Sequence, residues 1–336
     1  MSVTIRDVSK KCGLSISAVS KALNNYSDVS EETRRRVLQA AEELGYYPNA
    51  VARSLKTNRT YNIGVILDDE MGDYLLHSYF VVILNGFKQE AERFGYTITL
   101  VNRNIGTRRY TFLDHCRYRN LDGVCVMCVD FFDPEIGDLV RSELPTVTID
   151  HLFSGTDCVL SDNKKGMRDI MHYVISMGHR RIAYMYGIPA SVTDARLTAF
   201  FETVHENRLE LPDGYAIQSH YHSTHHAFEA TQRLLALEPR PTCILMSDDY
   251  SALGGMEAIA QAGLRIPEDI SIAGYDGISM LQKTRPRLTT VRQDAEMIGK
   301  RAAARLIERI ENRSAPVGYP DVVPGALVEG ETVAKI

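Results

Sequence analysis

Residues 4–24 read TIRDVSKKCGLSISAVSKALN, and this stretch decides the fold of the amino-terminal part of the chain. Thr4 followed by Asp7 has the form of a capping box, and apolar residues then recur at helical spacing until Gly13. Ser15 is a favourable N-cap for a second short helix. The stretch therefore predicts two short helices joined by a tight turn that contains glycine.

The second of these helices, over 16–23, divides cleanly into two halves at 100° per residue. One half carries Ile16, Ser17, Ser20 and Lys21, and the other carries Ala18, Val19, Ala22 and Leu23. A third helix is predicted to begin at Ser30 and end at Gly45, and to bury Val37, Leu38, Ala41 and Leu44. A helix, a turn and a short helix with a polar outer face are typical of the helix-turn-helix motif, whose second helix enters the major groove. Ser17, Ser20 and Lys21 would then reach base edges, whereas the alternative is a small three-helix bundle with no such role.

The segment 49–56 contains strong helix formers but spans only about two turns, which is too short for a stable isolated helix. We expect it to become ordered only on a partner. Its small residues, the basic Arg53 and the apolar Leu55 suit a helix that lies over the minor groove and inserts a side chain between base pairs. A plain interdomain linker is the alternative interpretation.

Charge is distributed unevenly along the 336 residues, although the formal net charge of −5 argues against a polyanionic partner on average. Residues 1–60 contain 10 Lys and Arg against 6 Asp and Glu, which is a net charge of +4. Residues 61–336 contain 28 against 37, which is −9. The acidic body is expected to confine DNA contact to the basic amino-terminal part.

The amino-terminal motifs resemble those of one known family. They are Val3 to Val8, Gly13-Leu14-Ser15, Ala18 to Asn24, Val29 to Arg34, Leu44 to Asn49 and Ala52 to Leu55. This part of the chain resembles the DNA-binding head of the lactose-repressor (LacI/GalR) family of bacterial transcription regulators. The resemblance implies that Ile16, Ser17 and Lys21 select the operator, that the 50–56 hinge helix forms on DNA, and that Leu55 intercalates. The complete set of predicted DNA-binding residues is Thr4, Ser15, Ile16, Ser17, Ser20, Lys21, Asn24, Asn49, Ala50, Ala52, Arg53, Leu55 and Lys56.

From Tyr61 onward, short apolar runs alternate with longer helical stretches. The predicted strands are 62–67, 97–101, 123–129, 146–149, 182–186, 243–246 and 270–273, and the predicted helices between them are 79–94, 134–143, 166–177, 191–206, 227–236 and 251–262. This alternation is typical of doubly wound parallel sheets, whose ligands bind at the carboxyl ends of the strands. About 270 residues exceed one ordinary core, so we expect two lobes with a ligand cleft between them.

The body also resembles the periplasmic sugar-binding fold that the LacI/GalR family uses for effectors. The resemblance rests on Asp162-Asn163 with Gly166, Gly178 to Ala183, Arg196-Leu197 with Phe200, Ala252 to Gly254, Gly263 with Pro267, Gly274 to Asp276, and Arg287 to Val291. It implies strand crossovers between the lobes near residues 161, 290 and 323. The predicted organisation is a helix-turn-helix domain at 1–48, a hinge helix and linker at 49–60, and two lobes at 61–161 with 291–322 and at 162–290 with 323–336.

Charged residues at predicted strand ends supply candidate effector contacts. Asp150, Asp248 and Asp276 each follow an apolar run, and Arg196 lies in the helix after Gly187. Carboxylates and a guanidinium can pair with adjacent hydroxyls of a sugar. Positions matching Asp150, Arg196, Asp248 and Asp276 bind sugars in family members. The alternative for each aspartate is that it caps the following helix.

The aromatic partner of a sugar ring is less well defined by the sequence. Ala295 stands where some sugar-binding members have an aromatic residue, and the loop before the 227–236 helix reads His220-Tyr221-His222. The candidates for ring stacking are Phe80, Phe131, Tyr221 and Tyr250, of which Phe80 and Tyr221 complete the predicted effector set.

No metal site, cofactor or enzymatic activity is predicted. Cys125 and Cys128 have C-x-x-C spacing but lie in a predicted strand, where residues three apart point to opposite faces. His220, His222, His225 and His226 lack an accompanying ligand at metal-binding spacing, so a loop of solvated histidines is favoured. The nucleophile-elbow, P-loop, zinc-protease and dinucleotide-binding motifs are absent from the sequence.

We therefore predict a small all-α helix-turn-helix head joined to a two-lobed α/β body like periplasmic binding proteins. Such a protein would be a cytoplasmic transcription regulator that binds palindromic double-stranded operator DNA as a homodimer. The resemblance implies a repressor, because repression is the usual activity of the family. A small effector, by the resemblance a sugar, would control it from the cleft. No apolar run reaches the length of a membrane helix, so no membrane partner is expected. A solute receptor or sugar-processing enzyme on the same two lobes is the alternative function.

Overall fold

The computed structural model describes residues 3–24, 26–47, 59–68, 77–314, 316–317 and 320–336. Its contacts divide the chain into two compact units, Met1–Tyr61 and Asn62–Ile336, each of which is described by itself. In the part of the chain that the structure describes, no helix is both long and apolar enough to cross a membrane.

The described residues of the first unit contain three helices: α1 (Ile5–Cys12), α2 (Ile16–Leu23) and α3 (Glu31–Leu44). The Asp7 carboxylate accepts hydrogen bonds from the backbone N–H of Thr4 (2.9 Å) and from its hydroxyl (2.7 Å), so the predicted capping interaction is present. Gly13 ends α1 in the left-handed region at φ +63°, where glycine carries no steric penalty. The three predicted helices and the turn between the first two are therefore confirmed.

The core of the head consists of apolar side chains from all three helices. Val8, Val19 and Val37 are fully buried, and Ala22, Ala40 and Ala41 pack with them. The prediction that Leu38 is buried was wrong, because Leu38 is 50% exposed. Ala40 occupies the core-facing position instead, since it lies three residues beyond Val37 and therefore on the same face of α3.

The second unit, the body, is built from fourteen strands and eight helices among the described residues. The strands are β1 (Asn62–Asp68), β2 (Thr97–Val101), β3 (Asn104–Ile105), β4 (Arg108–Arg109), β5 (Gly123–Val129), β6 (Thr146–Ile149), β7 (Asp157–Ser161), β8 (Ile182–Tyr186), β9 (Ala216–Gln218), β10 (Cys243–Leu245), β11 (Ser271–Asp276), β12 (Thr289–Arg292), β13 (Asp321–Val323) and β14 (Ala326–Val328). The helices are α4 (Ser78–Arg93), α5 (Phe112–Tyr118), α6 (Pro134–Arg141), α7 (Asn163–Ser176), α8 (Ser191–Glu206), α9 (Thr224–Leu235), α10 (Asp249–Gln261) and α11 (Ala295–Glu311).

Twelve of these strands form two six-stranded sheets, each at the centre of one lobe, and β3 and β4 form a separate two-stranded antiparallel sheet. The first lobe has the order β13-β7-β6-β5-β1-β2, in which all neighbours are parallel. The second lobe has the order β14-β12-β11-β10-β8-β9, in which only β14 is antiparallel to its neighbour. The chain changes sheet after β7, after β12 and after β13. The predicted fold class is confirmed, whereas the exact domain limits stay a prediction.

Each predicted strand and helix of the body has a counterpart, whereas several short strands, the short helix α5 and the long helix α11 were not predicted from the sequence. Helix α11 is the longest helix of the described body. This helix packs against α4 of the first lobe through two glycines. A Cβ on Gly86 would lie 2.3 Å from the carbonyl oxygen of Glu296, and one on Gly299 would lie 2.0 Å from that of Ile83. Only residues without a side chain allow this approach, so the two helices pack closely against each other at these glycines.

Candidate functional site

The outer face of α2 in the head carries the predicted base contacts. Ser15 caps the helix, because its hydroxyl accepts a hydrogen bond from the Ala18 N–H at 3.1 Å. Ile16 is 43% exposed, Ser17 is exposed, and Val19 on the opposite face is buried. The helix therefore presents the predicted polar and basic face to solvent. Whether these side chains contact DNA stays a prediction.

Several basic side chains of the head already have protein partners. Lys21 forms an ion pair with Asp28, which raises the pKa of the Lys21 ammonium group. Arg34 pairs with Glu31, and one guanidinium nitrogen of Arg36 donates to the Cys12 carbonyl at 3.2 Å. Lys21 would have to exchange Asp28 for DNA acceptors on binding.

The remaining predicted DNA-binding residues have varied positions. Thr4 is exposed at the start of α1, Ser20 is half-buried, and the Asn24 amide donates to the Ser20 carbonyl at 2.7 Å. The predicted hinge contacts lie outside the described residues: Asn49, Ala50, Ala52, Arg53, Leu55 and Lys56.

The predicted effector residues of the body come together at the carboxyl ends of the strands, between the two lobes. Asp150 follows β6 in the first lobe, whereas Asp248 follows β10 and Asp276 ends β11 in the second lobe. Arg196 projects from α8 of the second lobe. We call the place where Tyr79, Asp150, Arg196, His222 and Asp276 meet the interlobe site.

Arg196 is the central cation of the interlobe site and is almost completely buried, at 3% exposure. Its Nε donates to Asn163 Oδ1 at 2.7 Å, its Nη1 donates to the Ser247 carbonyl at 3.0 Å, and its guanidinium lies 3.6 Å from the centre of the Tyr275 ring. Its Nη2 remains 4.0 Å from Asp276 Oδ1, which is too long for a hydrogen bond. The guanidinium plane is thus fixed while one edge faces the carboxylate.

Asp276 is buried with its backbone at φ +101°, a conformation that side-chain-bearing residues rarely adopt. Burial raises the pKa of its carboxyl to about 6, although Arg196 and His222 partly offset this effect. Gln293 Nε2 donates to Asp276 Oδ1 at 2.7 Å, and the Tyr79 hydroxyl donates to Gln293 Oε1 at 3.3 Å. This chain of hydrogen bonds connects α4 of the first lobe to β11 of the second.

Asp248 is fully buried, and its oxygens accept four hydrogen bonds. The donors are the backbone N–H of Ser251 (2.9 Å), the hydroxyls of Ser251 (2.8 Å) and Ser247 (3.0 Å), and the backbone N–H of His222 (3.0 Å). His222 Nδ1 lies 3.6 Å from Asp248 Oδ1, in ion-pair range but beyond hydrogen bonding. Burial opposes protonation of His222, but the Asp248 charge outweighs it and raises the pKa of the imidazole. Asp248 caps α10 and also orients His222.

Aromatic side chains surround the charged residues. Tyr221 is held by a 2.9 Å hydrogen bond between its hydroxyl and that of Thr193, and its ring packs over Gly187, where a Cβ would lie 2.0 Å from it. Phe80 lies 5.8 Å from His222 between ring centres. Phe131 stacks on His151, with 4.6 Å between the ring centres. His151 Nδ1 also forms a 2.7 Å hydrogen bond with the hydroxyl of Ser191 in the other lobe. Stacking of any of these rings on a ligand stays a prediction.

The sequence analysis missed several residues of the site. Gln293 directly follows β12, so the strand-end argument that found Asp276 could have found it as well. His77 and Tyr79 lie at the start of α4, where no pattern in the sequence marks them. His222 was expected among solvated loop histidines, and this was wrong: it is half-buried, and its ring centre lies 3.6 Å from that of His77.

Family models match both parts of the chain. Residues 4–49 match the model for bacterial regulatory proteins of the lacI family, and residues 171–333 match the model for a periplasmic binding protein-like domain. Each match falls on the part of the chain in which the corresponding fold is observed.

Relatives match over nearly the whole length. The chain is 33% identical to an HTH-type transcriptional repressor PurR of Mannheimia succiniciproducens, with 99% of each chain covered, and 32% identical to one of Escherichia coli, with 98% of this chain and 97% of the relative covered. A solved structure of the lac repressor dimer bound to operator and the anti-inducer ONPF has a TM-score of 0.81 at 25% identity, with 99% and 100% covered.

The chain therefore belongs to the lacI family of bacterial regulatory proteins. It is a DNA-binding transcriptional regulator of the repressor type and not an enzyme, and the alternative of a receptor or sugar-processing enzyme is not favoured.

Proposed function

We propose that the protein binds a pseudo-palindromic operator as a dimer and that a small, hydroxyl-rich effector in the interlobe site controls this binding. A recognition helix of eight residues, such as α2, reads only a few base pairs, so selective binding requires two copies on two half-sites. The solved lac repressor dimer on its operator supports this arrangement by similarity. We also propose the domain limits given by the sequence, with the hinge at 49–60.

The observation that carries the effector proposal is the position of Arg196. Its buried guanidinium lies 4.0 Å from Asp276, with Asp150 nearby, so donors and acceptors face the same space. This combination suits adjacent hydroxyl groups of a polyol or sugar. A ligand there would contact both lobes, and a change in their angle would alter whether the hinge segments fold on DNA.

The DNA-binding part of the proposal is tested by a gel-shift assay with the region upstream of the protein's own gene. We expect a sequence-selective shift that weakens steeply with salt, because phosphate contacts release counterions. Binding without sequence preference, or binding indifferent to salt, would contradict the operator proposal.

The effector part is tested by calorimetry with a panel of sugars and polyols. Arg196→Ala and Asp276→Ala are each expected to weaken binding of the active ligand by about 10- to 100-fold, since a charged hydrogen-bond partner is lost. Arg168→Ala is the matched control, because Arg168 is a partly exposed arginine that pairs with Glu202 on the outer side of α8. Equal ligand affinity of the Arg196 variant and the wild type would place the effector elsewhere.

A further inference from the structure

Three potential metal ligands from separate segments converge in the interlobe site. His77 precedes α4 in the first lobe, His222 lies between β9 and α9, and Asp276 ends β11 in the second lobe. One potential ligand atom of each residue lies within 4.8 Å of those of the other two. Among the described residues, these three side chains are the candidate metal-binding group. The group spans the two lobes.

His77 has an unusual environment for a polar side chain. It is 7% exposed, and neither Nδ1 nor Nε2 has a hydrogen-bond partner within the described parts of the chain. Its ring packs against those of His222 at 3.6 Å and Tyr250 at 4.7 Å between centres. Folded proteins rarely leave buried polar atoms unpartnered, and such atoms often mark the place of an ion or ligand.

His222 has the second feature of a metal-binding histidine, which is a carboxylate beside one of its ring nitrogens. Asp248 lies 3.6 Å from His222 Nδ1 and is itself held by Ser247 and Ser251. This distance is beyond hydrogen-bond range, so the carboxylate acts on His222 through its charge, which favours the proton on the nearer nitrogen and leaves the other nitrogen available to a metal. The structure therefore supplies an orienting partner as well as the ligand.

The balance of charge in the site favours a cation. Asp248 and Asp276 are buried and Asp150 is half-buried, and all three interact electrostatically with the site around the guanidinium of Arg196. Arg196 already donates to Asn163 and Ser247 and stays 4.0 Å from Asp276. Two imidazoles and a carboxylate are a donor set that suits zinc and other divalent first-row metals.

We propose that His77, His222 and Asp276 form a binding site for a divalent transition-metal ion that joins the two lobes. Two ligand atoms of a tetrahedral zinc ion are about 3.3 Å apart, so ligand atoms that lie within 4.8 Å of one another need only small side-chain movements to bind one. The ion would thus link the two lobes, because His77 belongs to the first lobe and the other two ligands belong to the second. Metal binding itself stands on the geometry alone, and only its effect on DNA affinity rests on the proposed function.

The test measures Zn²⁺ affinity on full-length, tag-free protein that has been stripped with EDTA, in competition with a chromophoric chelator. We expect one ion per chain. His77→Ala and His222→Ala are expected to lose at least tenfold in affinity, and Asp248→Asn about 10- to 100-fold, because outer partners tune metal ligands by this amount. Asparagine can still cap α10.

The matched control is His225→Ala, since His225 is an exposed histidine three residues beyond His222 and is 76% exposed. Circular dichroism checks the fold of each variant, and His77→Gln and His222→Gln replace any alanine variant that fails to fold. Absence of stoichiometric binding to the wild type, unchanged affinity in both the His77 and His222 variants, or an equal loss in the His225 variant would overturn the proposal.

A separate gel shift with and without Zn²⁺ distinguishes this proposal from the regulatory one. Stoichiometric Zn²⁺ binding that depends on His77 and His222 but leaves operator affinity unchanged would support the metal site and contradict regulation through it. Failure of the chelator competition, with intact operator binding and sugar response, would overturn the metal site alone.

Discussion

Asp276→Asn is expected to make the metal-free and ligand-free protein more stable at neutral pH. The pKa of the Asp276 carboxyl is raised from 3.8 to about 6 by burial, which Arg196 and His222 only partly offset. The native state therefore binds more protons than the unfolded state between these values. The stabilisation from the protonated carboxyl is complete below 3.8 and is lost as the pH rises through about 6.

The size of the effect follows from the difference in pKa. The pKa of Asp276 is about two units higher in the native state than in the unfolded state. Ionisation of this carboxyl therefore lowers the stability of the native state by about 3 kcal/mol at about pH 7.5. Asparagine resembles the neutral carboxyl, can accept the Gln293 hydrogen bond, and tolerates positive φ better than most residues. We expect a gain of about 3 kcal/mol at about pH 7.5 that falls to between about 1 and 2 kcal/mol at about pH 5.

Urea unfolding of the body, followed by circular dichroism at several pH values in EDTA, measures this gain. Asp248→Asn is the control of opposite sign. Burial opposes ionisation of Asp248, but His222 and the hydrogen bonds to the carboxylate outweigh burial and lower the pKa of this carboxyl. Replacing the Asp248 carboxylate should therefore destabilise the protein at pH values above the ordinary carboxyl pKa. An Asp276→Asn variant that is less stable than the wild type, or a gain that does not shrink on acidification, would refute the reasoning.

Three further predictions concern the DNA-binding part of the protein. Ser15→Ala should destabilise the head by about 1 kcal/mol in thermal unfolding, because the N-cap of α2 is lost, and an unchanged melting temperature would argue against the cap. Asp28→Asn should bind arbitrary duplex DNA more tightly in fluorescence anisotropy, since Lys21 is released and one negative charge is removed; equal affinity would contradict this account. Leu55→Ala should weaken operator binding while leaving effector affinity intact, and equal operator affinity would contradict the hinge assignment.

Local patterns accounted for most of the fold. The N-caps at Thr4, Ser15 and Ser30 and the left-handed glycines after α1 and α3 involve contacts within a few residues, so the sequence was sufficient to locate the head helices. Continuous apolar runs likewise marked the buried strands. Helix α11 also has local signals, an N-cap at Asp294 and apolar residues at helical spacing, and could have been predicted; only its close packing through Gly86 and Gly299 depends on the tertiary structure.

The candidate site was only partly predictable. Asp150, Asp248 and Asp276 follow strands, and the carboxyl ends of parallel strands meet at one edge, so their proximity could be expected. The sequence could not distinguish an aspartate that faces a ligand from one that caps a helix. Asp248 accepts four hydrogen bonds from groups of the protein, so most of the hydrogen-bond-accepting capacity of its carboxylate is used within the protein.

The class of this protein could be predicted from its sequence alone, because the helix-turn-helix pattern, the strand–helix alternation and the separation of basic and acidic parts are local properties of the chain. The contact between His77 and His222 and the hydrogen-bonded link from Tyr79 through Gln293 to Asp276 arise only when the chain has folded. These residues lie on different lobes and far apart in sequence. Their contact depends on how two separately formed sheets dock, and no local spacing encodes that docking.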